Sequence, residues 1–124
     1  MRMSEDTPPS GGPIIRAFAG TGFRVGETAH RALLMTVEAA TDWSPPALGD
    51  LSIEHLQSLV AMQPEFILFG TGAALVRPPV ALVKALEARR IGIEAMDSRA
   101  AARAWGVLRN EGRSIAAALY PLDA

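Results

Sequence analysis

Phe66-Ile67-Leu68-Phe69-Gly70 is the stretch on which the reading of this chain turns. Four apolar residues in a row, bounded by Pro64 and a glycine, are too few for an ordinary helix and show no alternation of wet and dry faces. A strand that is apolar on both sides must be covered on both sides, as the central strands of α/β sheets are. Downstream, Gly70-Thr71-Gly72 turns the chain and a loop runs to Pro78. Pro79 then stands where a first helical turn tolerates a missing N–H. Leu82, Val83 and Leu86 supply the apolar side of that helix, and Arg89-Arg90 suit its negative end. Ile91–Met96 reads as the next strand. Asp97-Ser98 cap a further helix, with Ala101, Ala104, Trp105 and Leu108 at i, i+3, i+4 and i+7 and Gly112 at its end. Ser114–Tyr120 is a last strand, closed by Pro121.

Upstream, Ser52 is placed to cap a helix through about Ala61, with Ile53, Leu56 and Val60 on one stripe. Trp43-Ser44-Pro45-Pro46 and Gly49 mark a loop before it. Ile14–Phe18, Phe23–Val25 and His30–Val37, separated by turns at Gly20-Thr21-Gly22 and Gly26, read as three short strands of a small N-terminal antiparallel β meander. The later alternation of helix and strand implies crossovers, some parallel pairs, and helices on the faces of the sheet. The expected fold class is therefore α/β, with parallel strands flanked by helices. Residues 1–12 have no apolar pattern and several breakers, so a disordered tail is expected there, with a single α/β domain over 13–124.

The chain has 124 residues, enough for one domain, and its 49% hydrophobic and 20% charged content is that of a globular protein. It contains no cysteine. Disulfides, thiolate zinc sites, iron–sulfur clusters and thiol nucleophiles are thereby excluded. Twelve basic against thirteen acidic residues leave a net charge of −1, which gives no general attraction for phosphate backbones, and nucleic acid is not an expected partner. No apolar stretch approaches the ~20 residues of a transmembrane helix, and the first residues lack the apolar run of a signal peptide, so a cytoplasmic location is expected. The abundance of Ala and Arg fits a bacterial source.

Gly70, Thr71 and Gly72 form the first candidate site. A glycine turn at the carboxyl end of a parallel strand can present backbone N–H groups to an anion, although the spacing matches neither the dinucleotide fingerprint nor the phosphate loop. The plainer reading is a turn that needs positive φ or close packing. Asp97 comes second, at the carboxyl end of the next strand, where open α/β sheets hold ligands; the plainer reading is a helix cap. Arg103, Glu111 and Arg113 form a third group, either a structural ion-pair cluster or the wall of an anion pocket. His30 and His55 have no spacing that converges ligands, so neither metal nor cofactor is expected. The chain also lacks the Gly-x-Ser-x-Gly elbow of a serine hydrolase. Trp43 and Trp105 read as packing residues.

Three segments taken in order, Pro64–Gly72, Gly92–Ser98 and Glu111–Pro121, resemble the domain-of-unknown-function 498 family, which includes the mitochondrial complex I assembly factor 3. Gly22–Gly26 and Trp43 look like it too, and the resemblance spans about residues 13–121. It implies a three-layer α/β fold with a central mixed sheet and an extra β layer. It also implies a non-catalytic interaction or assembly module with a protein partner, and leaves self-association open. Where many relatives carry Arg-Thr-Tyr-Asn, this chain reads Arg103-Ala104-Trp105-Gly106, without the hydroxyl and amide; that departure weighs against an enzyme. The alternative is a small-molecule binder or enzyme using a crevice between Gly70–Gly72 and Asp97, with Arg103 or Arg113 facing it.

Overall fold

The computed structural model describes residues 11–124. Among them the chain forms β1 (Ile15–Ala19), β2 (Gly22–Val25), β3 (Thr28–His30), β4 (Leu33–Met35), β5 (Ala40–Asp42), α1 (Gln57–Val60), β6 (Phe66–Gly70), α2 (Val80–Ala88), β7 (Gly92–Met96), α3 (Ser98–Asn110) and β8 (Ala116–Leu119). Short 3₁₀ turns at Leu48–Asp50 and Ile53–Leu56 precede α1. Strands β1, β2 and β3 pair in that order as an antiparallel sheet, and the other five pair in the order β5-β4-β8-β6-β7. Within the larger sheet β6 is parallel to both β7 and β8, whereas β4 runs antiparallel to β8 and to β5.

The order of the last three strands fixes where the helices go. From β6 the chain passes through α2 to β7 on one side, then through α3 to β8 on the other side of β6. Crossovers of one hand that step in opposite directions must lie on opposite faces of the sheet. The packing agrees. Ile67 and Phe69 of β6, with Ala116 and Ala118 of β8, share a core with Leu82 and Leu86 of α2 and with Leu56 and Leu59. Leu68, Ala117 and Leu119 face the other way, into a core with Ala101, Ala102 and Trp105 of α3 and Phe23 of the small sheet. The protein is thus a mixed α/β fold in three layers, with the meander sharing the α3 side.

Strand β8 is Ala-Ala-Ala-Leu and fully buried. Alanine has little intrinsic preference for strands; here its small side chains, between two flanking strands and under two layers, leave room for the fully buried Trp105 on one side and Phe69 on the other. Trp105 is a packing residue, and its indole N–H donates to the Pro13 carbonyl at 3.0 Å.

Two expectations for the first half are corrected, and one strand is added. The strand expected over His30–Val37 is two strands in different sheets: Thr28–His30 closes the meander, and after Arg31 and Ala32 the chain enters the larger sheet as Leu33–Met35. All of Leu33, Leu34 and Met35 are buried, because β4 faces both cores, so the apolar run carries no mark of the switch. The stretch Ala40–Asp42, unassigned from sequence, is an edge strand with mostly exposed side chains. The helix expected from Ser52 to about Ala61 is a 3₁₀ turn followed by one α turn. Its buried residues are Ile53, Leu56 and Leu59, and a spacing of three is the 3₁₀ period. Ser52 does stand at the cap, where its N–H donates to His55 Nδ1 at 3.0 Å.

Residues 1–10 of the expected tail lie outside the described residues; Gly11 is anchored by its carbonyl, which accepts from the buried Arg109 guanidinium at 3.2 Å.

The single tyrosine, Tyr120, ties β8 to the Trp43–Pro46 loop. Its hydroxyl donates to the Pro46 carbonyl at 2.8 Å, and its ring meets Trp43 and Phe69 edge-on at 5.2 and 5.9 Å. Burial, then the nearby Asp50 carboxylate, push the phenol from 10.0 up to about 12. The folded protein resists ionising a group that the unfolded chain ionises at its ordinary value. The contribution to stability is therefore whole below pH 10.0 and lost as pH rises toward 12. Tyrosinate absorbance is expected to titrate near pH 12 in the folded protein and near 10 in denaturant. Tyr120→Phe should abolish that signal and the accompanying alkaline loss of stability.

Candidate functional site

The carboxyl ends of β6 and β7 meet where the chain reverses direction across the sheet, the place where open α/β folds hold ligands. Gly70, Thr71 and Gly72 lie there, next to Asp97 and Ser98 at the start of α3, so the structure does bring the first two sequence candidates together. What joins them is a reciprocal clamp. The Gly72 N–H donates to Ser98 Oγ and the Ser98 N–H donates to the Gly72 carbonyl, both at 2.8 Å. The remaining donors of the turn are also engaged: Thr71 N–H with the Met96 carbonyl at 2.9 Å and Ala73 N–H with the Ala124 carbonyl at 3.0 Å. The Gly70 carbonyl accepts from Tyr120 N–H at 2.9 Å. Donors committed in this way are not presented to an anion.

Both glycines are required for that closure. A Cβ on Gly70 would lie 2.8 Å from Leu119 Cδ2 and from Ser98 Oγ. Gly72 has φ +109°, and a Cβ there would run into the Ala124 carbonyl. Asp97 acts as the cap of α3, its carboxylate accepting from Ala100 N–H at 2.9 Å. Thr71 is buried, and its hydroxyl accepts from Val76 N–H at 3.0 Å while lying 2.6 Å from the Ala74 carbonyl and 3.2 Å from that of Met96. A hydroxyl has one proton, and the shorter contact takes it. Thr71 thereby braces the loop that leaves β6. Nothing in the sequence announced this role, because the partners lie in the loop and on β7.

The braced loop is unusual in what it exposes. Leu75 is 64%, Val76 46% and Val80 61% exposed, three large aliphatic side chains at the end of the sheet. From Gly70 to Val83 the sequence has one charged residue, Arg77. Sequence reading passed over this segment because a short Ala-Leu-Val run has the composition of a core.

The third group of candidates does not converge. Arg103 projects from α3 toward the meander, its guanidinium carbon 5.9 Å from the Phe18 ring centre, with that of Arg99 nearer at 4.2 Å. It lines an apolar groove of about 360 Å³ between Ile15, Phe18 and Ala102. Arg113 instead forms a two-toothed pair with Glu65, Nε and Nη2 donating to one oxygen at 3.0 and 2.9 Å while Ser114 N–H donates to the other at 3.2 Å. Glu111 is more distant, 4.0 Å from Arg113. The Arg113 hydrogen bonds first, and the Ser114 N–H second, hold the Glu65 carboxyl below its ordinary value of 4.5. His30 and His55 have separate partners: His30 Nδ1 lies 2.6 Å from Asp42, linking the two sheets, and His55 Nδ1 accepts from Ser52 N–H at 3.0 Å. Among the described residues no three side chains of His, Cys, Asp or Glu are grouped to hold a metal, and no helix is long and apolar enough to cross a membrane.

Residues 15–120 match the family described as protein of unknown function DUF498/DUF598. An uncharacterized protein of Rhodobacter capsulatus is 39% identical over 101 residues, covering 81% of this chain and 77% of that protein. The NADH dehydrogenase [ubiquinone] 1 alpha subcomplex assembly factor 3 of Danio rerio is 30% identical over 115 residues, or 90% of this chain; the chain spans 66% of that protein's length. Among solved structures, a Bordetella parapertussis protein superposes with a TM-score of 0.81 at 29% identity over 92% of this chain and 99% of its own. A protein of Bartonella henselae described as an outer membrane protein gives 0.79 at 29% identity, over 90% and 97%.

Two outcomes test the site geometry. Thr71→Val keeps the shape but leaves Val76 N–H and the Ala74 carbonyl without the hydroxyl. It should cost about 1–3 kcal/mol in urea unfolding and speed hydrogen exchange at Val76. Glu65, whose carboxyl is depressed, stabilises the fold above its ordinary value of 4.5 and ceases to as pH falls below that through the folded value. The acid loss of stability in that window should be visibly flatter in Glu65→Gln.

Proposed function

The chain belongs to the DUF498/DUF598 family, and from that membership and its surface we propose that it is a non-catalytic protein-docking module that helps to assemble a larger complex. The observation that carries this reading is the exposure of Leu75, Val76 and Val80, three large aliphatic side chains within six residues of sequence. Large apolar side chains exposed on the braced loop (Leu75, Val76) and on the first residue of α2 (Val80) are costly in water and become favourable when covered. The likeness to the Danio rerio assembly factor suggests which complex: a membrane NADH dehydrogenase of the respiratory chain, with one of its subunits as the docking partner. The sealed strand end supports the non-catalytic part, since the backbone donors that would serve an anionic substrate are bonded within the fold. A cytoplasmic location, on the face where such a subunit would be met before insertion, is part of the proposal, as is a bacterial source.

Deleting the gene from its source organism should lower assembled NADH dehydrogenase several-fold on native gels, with partial assemblies accumulating. The wild-type gene should restore it and the double substitution Leu75→Glu, Val80→Glu should not. Each buried aliphatic side chain is worth about 1.5–3 kcal/mol, so the pair would weaken docking by at least about a hundredfold. Both positions are exposed, and the variant's melting temperature should stay near that of wild type. Unchanged assembly in the deletion strain would overturn the reading.

A further inference from the structure

We propose that the free edge of β7 takes up an extended segment of a partner protein as a sixth strand, selected by a basic side chain opposite Glu94. The proposal deepens the docking reading and rests on it, but it uses a different surface from the Leu75 patch.

Strand β7 has one neighbour among the described residues, β6. The phase of its hydrogen bonds is set at both ends: Gly92 N–H donates to the Glu65 carbonyl at 3.1 Å, and the Met96 carbonyl accepts from Thr71 at 2.9 Å. Backbone groups alternate sides along a strand. Gly92, Glu94 and Met96 therefore spend theirs on β6, and the N–H and C=O of Ile93 and Ala95 point outward, four groups ready for a further strand.

The side chains beside this edge are selective. On the α3 face of the sheet, Phe66, Met96, Val107 and Leu108 line an open groove of about 490 Å³ with Glu94 in it, together with Arg113, whose guanidinium lies over Phe66 and is paired with Glu65 at 2.9 Å. Val107 is 60% exposed. Glu94 is exposed, and no ion pair or hydrogen bond engages its carboxylate among the described residues. Opposite Gly92 there is no side chain, only Phe66 behind it, 3.2 Å from where a Cβ would stand. An added strand would set every second side chain over this face: one beside Glu94, one over Gly92 and Phe66, and one beside Met96. A cation flanked at two residues on either side by apolar groups fits that row.

The same carboxylate argues against a second copy as the occupant. Two β7 strands pairing antiparallel so that all four outward groups on each are used must set Ile93 of one opposite Ala95 of the other. Glu94 then faces Glu94 across the symmetry axis at a Cα separation of about 4.5 Å. Like charges directly opposed destabilise a strand pair, while opposite charges stabilise it.

The probe is a capped peptide, Thr-Val-Thr-Lys-Thr-Val-Thr, compared with the same peptide carrying Glu in place of Lys, each titrated into the ¹⁵N-labelled full chain. Shifts and slowed amide exchange are expected at Ile93 and Ala95, with the Lys peptide at least about fivefold tighter than the Glu peptide. Glu94→Lys should reverse that preference while leaving the rest of the spectrum in place. Shifts confined to other surfaces, no binding at millimolar peptide, or a preference that Glu94→Lys does not reverse would each overturn the proposal. So would a wild-type dimer with protection at Ile93 and Ala95, which would assign the edge to a second copy. Because this readout needs no cell, it fails separately from the deletion phenotype: a silent edge with impaired complex assembly sinks this inference alone.

Discussion

The two-sided burial of β6 and β8 is the constraint from which the remaining architecture follows. Ile67 and Phe69 point into one core and Leu68 into another, and the small residues of β8 do the same beside them. Such strands can exist only if apolar surface closes over both faces. Helix α2 and the 3₁₀ turns supply one cover; α3, with the meander carrying Phe23, supplies the other. The strand order β7-β6-β8 is the arrangement that lets two crossovers of one hand deliver helices to opposite faces, so topology and burial meet the same requirement.

That arrangement creates a strand-end crevice, and the chain fills it with its own groups. Ser98 and Gly72 exchange two hydrogen bonds, Asp97 is committed to the helix cap, and Tyr120–Ala124 passes across the turn. The glycines there serve closeness: at Gly70 a side chain would collide with Ser98 and Leu119. Thr71 transmits the rigidity of the sheet into the loop beyond it. Where other α/β proteins hold ligands, Gly72 and Ser98 are here bonded to each other, and Leu75 and Val76 of the loop beyond are exposed.

The surfaces that the interior leaves uncovered lie at the periphery. The loop after β6, its backbone pinned by Thr71, exposes the aliphatic side chains of Leu75 and Val76. Among the described residues no strand pairs with the outer side of β7. Glu94 gives that edge a sign, which opposes pairing with a like strand and favours an unlike one. Arg113 lines the same groove, its charge already matched by Glu65.

Much of the second half was legible in the sequence. Phe66–Gly70 announced a doubly covered strand, Pro79 and Asp97 marked helix starts, Gly112 a helix end, and Arg89-Arg90 a terminus, because in each case local chemistry and final structure make the same demand. Trp105 on its stripe was legible as packing for the same reason. The first half was legible only in outline. Leu33–Met35 belongs to the larger sheet because of what surrounds it, and a run buried on both faces looks the same whichever sheet it joins. The spacing of Ile53, Leu56 and Leu59 fits a 3₁₀ turn only once the core they face is known. Of the candidate site, the sequence named Gly70, Thr71, Gly72 and Asp97 but not their relation. Whether a strand end is a pocket or a joint depends on Ser98, Met96, Tyr120 and Ala124, up to more than fifty residues away along the chain. The sequence by itself determined the fold class, the doubly buried strand and the caps, because those are set by neighbours within a turn or two. Tertiary structure alone decided that Gly72 and Ser98 bond to each other across the strand ends, that Arg103 and Arg113 part company, and that Leu75, Val80 and the outer side of β7 are left uncovered among the described residues, because long-range packing chooses which apolar and hydrogen-bonding groups are satisfied inside and which stay at the surface.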